Sequence, residues 1–316
     1  MELRELGRSG LKVSSVCLGG NVFGWTADEK ASFAVLDDFT TAGGNFIDTA
    51  NVYSTWVEGH KGGESETVLG KWLKSRGNRD KVVVATKVGA EMGDGRKGLK
   101  AGYVAQMVED SLKRLQIDTI DLYQSHRDDA DTPQEETLEA YAKLIRAGKV
   151  RAIGASNFTA ARLAEALAIS AQNGLPRYES LQPEYNLYER EGYEKALEPL
   201  CAKEQIGVIG YFGLASGFLT GKYRSEADLA KSQRGEDIGQ YLNARGFRIL
   251  KALDEVAAEA KATPAQVAVA WLIARPSVTA PIVSATRIEQ SHDLIKAMRL
   301  KLTPAQIETL NRASAS

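Results

Sequence analysis

The chain has 316 residues, 43% apolar and 26% charged, a composition that supports a large buried core in one barrel-sized domain or two smaller ones. With 40 Lys and Arg against 41 Asp and Glu, the net charge of −1 excludes a global field that would draw the protein to nucleic acid or to an anionic membrane. Its two cysteines, Cys17 and Cys201, lie far apart without CxxC or Cys/His metal spacing, which speaks against a disulfide framework or a zinc site and for reduced thiols.

The first residues, MELRELGRSGLKVSS, scatter charges and contain no apolar h-region. No later stretch reaches the roughly 18 uninterrupted apolar residues of a membrane span. A soluble, cytoplasmic protein is expected. Within LRELGRSGLKV the GRSG segment separates two short extended runs and reads as a β-hairpin.

From there, short apolar runs alternate with longer segments of helical period. The first run is 12–19, followed by a helix over 28–42 that Asp28 starts. Runs at 45–50, 81–87, 119–126, 150–156, 179–184, 206–211 and 280–285 follow. Between and after them come helices over 64–75, 102–116, 133–147, 160–171, 191–204, 243–275 and 287–297. TPQEE at 132–136 and TPAQ at 263 and 303 are further helix-start signals, and TTAGG and IRAGK place glycine just past a helix.

Strand and helix alternation of this kind predicts a parallel sheet with crossover helices, and eight strands close a (β/α)8 barrel whose bottom the hairpin covers. The connection 212–280 is too long for a simple loop, so extra helices are expected after the seventh strand. No linker or composition shift divides the chain, so residues 1–316 are read as one domain. The rival, an open dinucleotide-binding sheet, requires GxGxxG after the first strand, and GNVFGWTADE lacks that spacing.

Barrel chemistry sits at the C-terminal strand ends. There the sequence puts Asp48 and, five residues on, Tyr53 after the second strand, Lys87 after the third and His126 after the fourth. A lysine beside a phenol stabilises the phenolate and lowers the tyrosine's pKa, and an aspartate holds that lysine in place. A histidine across the pocket can hydrogen-bond a carbonyl oxygen. Each residue singly is commonly a solvated or packed side chain; four at successive strand ends form a donor site for an oxygen that gains negative charge.

With FIDTANVYS, ATKVG, DLYQSH, GASNF, LQPEYNLYER, YFGLASGFLTGKY and PIVSATRIEQ in this order, the whole chain resembles the aldo-keto reductases. The resemblance implies NADPH-dependent reduction of an aldehyde or ketone, with NADH as a possible substitute. Tyr53 would be the general acid, and Asp48, Lys87 and His126 would complete a tetrad. It further implies that Ser156, Asn157 and Gln182 hold the nicotinamide carboxamide and that Tyr211 stacks on the ring. Leu214, Ser216 and Gly217 would line a loop reaching the cofactor, and Ser284, Thr286, Arg287 and Gln290 would stand near the adenosine 2′-phosphate. Leu294 departs from the Asn common in the family, so an amide contact to adenine is not expected. Trp25 and Trp56 are read as walls of the substrate pocket. Partners are then a small carbonyl or alcohol substrate, with no nucleic acid and no membrane; oligomeric state is left open.

Two alternatives stand beside the reductase. A lysine at a strand end could form a Schiff base, as in an aldolase. The family also resembles cytoplasmic β-subunits of potassium channels, in which a bound dinucleotide would serve as a redox sensor.

Overall fold

The structure, a computed structural model, describes residues 3–231 and 235–315. Strands β1 (Arg4–Glu5) and β2 (Lys12–Val13) form the antiparallel hairpin, and Cys17–Gly19 (β3) is a separate strand of the main sheet. The single run expected over 12–19 is thus two strands. Between them Ser14 leaves the ladder: its N–H donates to Asn45 Oδ1 at 2.7 Å and its hydroxyl to the Val16 carbonyl at 2.8 Å.

The other strands are β4 (Phe46–Asp48), β5 (Val83–Val88), β6 (Ile120–Ser125), β7 (Val150–Ser156), β8 (Tyr178–Gln182), β9 (Gly207–Val208) and β10 (Ile282–Val283). Together with β3 they make an eight-stranded parallel sheet in the order β10-β3-β4-β5-β6-β7-β8-β9. The Ile282 N–H donates to the Gly210 carbonyl at 2.7 Å and the Thr279 N–H to that of Val208 at 2.8 Å, which joins the two ends of the sheet. The fold is a (β/α)8 barrel with an N-terminal hairpin.

Helix boundaries follow local chemistry. The Asp28 carboxylate accepts from the Ala31 N–H and caps the helix Glu29–Thr41. The segment expected as one stretch over 243–275 is two helices, Ala244–Ala260 and Pro264–Ala274. Lys261 in the left-handed region ends the first, and a reciprocal Thr263/Gln266 capping box with proline at the first turn starts the second. The same device at Thr303 and Gln306 starts the helix Pro304–Ser314, which the TPAQ signal at 303 marks beyond the last helix given bounds from the sequence. The segment 191–204 is likewise split, into Glu191–Glu194 and Leu197–Glu204. Among the described residues no helix is long and apolar enough to cross a membrane.

Side chains two apart on a strand share a face, so each barrel strand sends alternate residues inward. At the bottom those residues are apolar: Cys17, Phe46, Val83, Leu122 and Ile209 pack with hairpin residues Leu6, Leu11 and Val13. These three hairpin side chains are fully or almost fully buried, and burial of each contributes roughly 1.5–3 kcal/mol. Higher in the barrel, near the C-terminal strand ends, the inward positions become Asp48, Lys87, Gln124, Ser156 and Gln182, all buried and all polar. The barrel therefore has a dry plug below and a polar floor above.

Candidate active site

Lys87 stands at the centre of the polar floor with no solvent exposure. Its ammonium donates to Asp48 Oδ2 at 2.5 Å, to the Thr49 carbonyl at 2.9 Å and to the Tyr53 hydroxyl oxygen at 2.7 Å. An ammonium has three hydrogens, and all three are committed. In this arrangement no nitrogen lone pair is available to attack a carbonyl, which speaks against the Schiff-base alternative.

Asp48 is fully buried, and each of its oxygens is occupied. Oδ2 takes Lys87 and, at 3.3 Å, the Tyr53 hydroxyl; Oδ1 accepts from Gln124 Nε2 at 3.0 Å and Gln182 Nε2 at 3.1 Å. A buried ion pair is sustainable because its remaining lone pairs are satisfied in this way. The lysine pKa is lowered from its ordinary value by burial, with the Asp48 charge opposing that shift.

The tyrosine behaves otherwise than the lysine neighbour alone suggests. Burial first, and then the charge of Asp48, push the Tyr53 phenol well above its ordinary pKa of 10. The expectation of a lowered value is corrected: the adjacent carboxylate and the dry surroundings penalise the phenolate. Tyr53 is therefore a firmly protonated phenol. His126 lies beside it, the two rings edge to face at 6.0 Å. Burial, Lys87 and Arg127 hold the imidazole well below its usual pKa, so it is neutral at neutral pH.

Trp56 packs against Tyr53 at 6.1 Å and against Trp25 at 5.5 Å, both edge to face. Of the two predicted wall residues, Trp56 thus adjoins the phenol and is half exposed, and Trp25 stands behind it.

The predicted carboxamide residues also come together. Ser156 is buried, and its hydroxyl donates to the Gln182 carbonyl at 2.8 Å. Asn157, in the left-handed region at φ 58, donates through Nδ2 to the His126 carbonyl at 2.9 Å and accepts the Tyr211 hydroxyl at 2.9 Å. The Gln182 Nε2 is spent on Asp48 and on Gln124 Oε1, so Oε1 of Gln182 is the end of that amide left to an incoming group. It can accept an N–H, which a carboxamide has.

After the seventh strand, Ala215, Ser216 and Gly217 take φ of 47, 56 and 102 in succession. Such strain in non-glycine residues concentrates at ligand clamps, and left-handed turns aim backbone N–H groups into a concavity that suits anions. A Cβ on Gly217 would lie 4.0 Å from Lys222 Nζ, so a cation borders this loop. At the eighth strand, Ser284 donates to Asn21 Oδ1 at 2.5 Å, and Gln290 Oε1 accepts from the Thr286 N–H at 2.7 Å and its hydroxyl at 3.0 Å. Arg287 caps the helix Ile288–Arg299 with its backbone, its exposed guanidinium 3.5 Å from Glu289. That carboxylate already answers part of the charge. Leu294 is buried in the core and offers nothing to a base.

The donor set fits a nicotinamide dinucleotide: an amide acceptor and a phenol at one end, a strained loop with a lysine in the middle, and an arginine at a helix N-terminus at the other. Sequence reading passed over Gln124, Thr49 and Lys222. Gln124 carried a signal in hindsight, since it lies two residues before His126 and hence faces inward from the same strand. A cavity of about 430 Å³ opens elsewhere, beside Arg4, Arg275 and Lys301, and contains none of these residues.

A sequence profile of the Aldo/keto reductase family matches residues 15–315. Among curated relatives, the uncharacterized oxidoreductase YrpG of Bacillus subtilis is 37% identical, over 98% of this chain and 95% of its own. A probable voltage-gated potassium channel subunit beta of Oryza sativa is 34% identical over the same shares. The aldo-keto reductase yakc [NADP(+)] of Schizosaccharomyces pombe is 29% identical over 94% of this chain and 86% of its own.

Proposed function

The chain belongs to the aldo/keto reductase family and is an NAD(P)H-dependent oxidoreductase acting on carbonyl compounds, and from that premise we propose that it reduces an aldehyde or ketone with NADPH, using Tyr53 as the general acid. The observation that carries this reading is the bonding of Lys87. Its third hydrogen enters the Tyr53 oxygen at 2.7 Å, so the phenol's own proton is directed to Asp48, at a long 3.3 Å, or to a group arriving in the pocket.

When bound, the dinucleotide supplies the hydride that reaches the carbonyl carbon. The chain's residues do the rest. Tyr53 donates its proton to the substrate oxygen as negative charge builds there, and Lys87 steadies the resulting phenolate through the hydrogen bond already in place. Asp48 keeps Lys87 charged. His126, neutral, offers the substrate oxygen an N–H. Gln182 Oε1 and Asn157 orient the carboxamide, and Tyr211 walls the ring. Trp25 and Trp56 shape an aromatic-lined entrance for the substrate.

Preference for NADPH is supported by Arg287 at a helix N-terminus and by the name of the fission yeast relative. A second reading, a dinucleotide-binding regulatory subunit with little turnover, is favoured by the likeness to the plant channel subunit. NADPH and NADH oxidation over a panel of aliphatic and aromatic aldehydes, ketones and sugars separates the two. Turnover with NADPH preferred supports the reductase; tight NADPH retention without turnover on any carbonyl rejects it in favour of the regulatory reading.

A further inference from the structure

We infer that Gln124, which no part of the family resemblance assigns, is the positioning residue that ties the catalytic carboxylate to the cofactor-facing amide. This rests on the function proposed above and adds a component to it. The geometry is a closed ring of three side chains from β4, β6 and β8. Gln124 Nε2 donates to Asp48 Oδ1 at 3.0 Å, Gln182 Nε2 donates to the same oxygen at 3.1 Å, and Gln182 Nε2 also donates to Gln124 Oε1 at 3.0 Å.

The orientation of both amides follows from chemistry. A carboxylate only accepts, so both glutamines must turn their NH2 ends to Asp48. Gln124 then presents its Oε1 sideways and takes the second hydrogen of Gln182. With both hydrogens spent, Gln182 is locked with Oε1 free, the orientation that accepts from a carboxamide N–H. Without Gln124 that second hydrogen has no acceptor in the ring, and Gln182 is held against Asp48 by a single bond.

The barrel makes room for this side chain. On β7 the position beside Gln124 in the sheet is Gly154, where a Cβ would meet Ser180 Oγ at 2.2 Å and Gln124 Cγ at 3.1 Å. A larger residue there would clash with Ser180 first and press on the Gln124 stem. Lys87 is its register partner on the other side.

The test compares Gln124→Leu with Gln124→Glu. Leucine keeps much of the volume and removes both bonds. We expect the folded Leu variant to bind NADPH about tenfold more weakly in a fluorescence titration, the worth of roughly one net hydrogen bond, and to lose at least as much in kcat. Glutamic acid, while protonated, can donate an O–H to Asp48 and accept from Gln182, as glutamine does. Once ionised it faces Asp48 with like charge. Gln124→Glu should therefore approach wild-type affinity and turnover on the acid side and lose both as pH rises.

A cofactor-free readout accompanies this. Burial and Asp48 raise the new carboxyl's folded pKa above its unfolded value of about 4.3, with the Lys87 charge, already paired to Asp48, opposing part of that rise, so its stabilising contribution is present at low pH and lost as pH rises through the folded value. The melting temperature of the Glu variant should fall progressively below that of wild type between about pH 5 and about pH 9. Wild-type affinity and kcat in Gln124→Leu, or Glu and Leu variants impaired alike at every pH, would overturn the inference. If wild-type protein fails to reduce any carbonyl, the proposed function falls, while the cofactor-free melting series still decides whether Gln124 bonds to Asp48 as described.

Discussion

The two ends of the barrel interior are built from the same strands, two residues apart, yet they obey opposite rules. Below, Phe46, Ala85 and Leu122 pack in one cluster with Leu6 and Val13 of the hairpin, and the cluster is held by apolar burial that tolerates no polar group. Above, Asp48, Lys87 and Gln124 are equally buried although each ends in a polar or charged group. They are retained through mutual satisfaction: three donors on Lys87, both oxygens of Asp48 and both hydrogens of Gln182 are all engaged. A single barrel thus separates stability from chemistry along its axis, and the height of a residue on its strand decides which of the two a substitution changes.

That separation can be broken in graded ways. Below the loss expected at Tyr53 itself, the largest effect belongs to Lys87→Met. The substitution removes the partner of a buried carboxylate, an uncompensated charge that costs about 3–5 kcal/mol, and should lower carbonyl reduction by at least ~100-fold. Chemical denaturation and steady-state rates check the two parts separately. Next comes Leu6→Ala at the plug, which should destabilise by about 2–5 kcal/mol while kcat per folded molecule stays at the wild-type value. A large fall in kcat there would mean that the two ends are mechanically coupled.

At the rim, where Arg287 is exposed, Arg287→Leu should raise KM for NADPH about tenfold, ~1.4 kcal/mol, and leave KM for NADH unchanged. Equal effects on both cofactors would remove the assigned phosphate contact. The smallest effect concerns pH. The His126 pKa lies well below 6.5 in the folded chain, so the folded state binds fewer protons than the unfolded one in mild acid. Stability from this group is present above about pH 6.5 and is lost as pH falls from there through the folded pKa. His126→Gln should flatten that acid limb in a melting-temperature series.

Much of the architecture was legible because it is periodic. Barrel strands and crossover helices announce themselves by alternating pattern, Asp48 and Lys87 announce themselves by standing at strand ends, and Ser156 and Gln182 were reached through the family resemblance. What escaped has physical reasons. Val13 and Val16 read as one run because the turn between them is made by a side chain, Asn45, 31 residues away from Ser14. The segment 243–275 read as one helix because the apolar pattern continues across Thr263, although its TPAQ signal marks the break. The direction of the Tyr53 shift was misjudged because a neighbouring lysine is visible in sequence and burial is not. Gln124 was overlooked because a glutamine within a strand acquires meaning only when closure brings β4, β6 and β8 into reach of one another.

The most direct measurement is to titrate NADPH into Tyr53→Phe and, on the same preparation, follow carbonyl-dependent NADPH oxidation. The variant removes one oxygen and the proton it carries, and leaves the ion pair between Lys87 and Asp48 in place. The account predicts NADPH affinity close to wild type with turnover reduced by at least ~100-fold. Turnover within a few-fold of wild type would contradict it, since the proton would then come from another group and the polar floor would not be organised around the phenol.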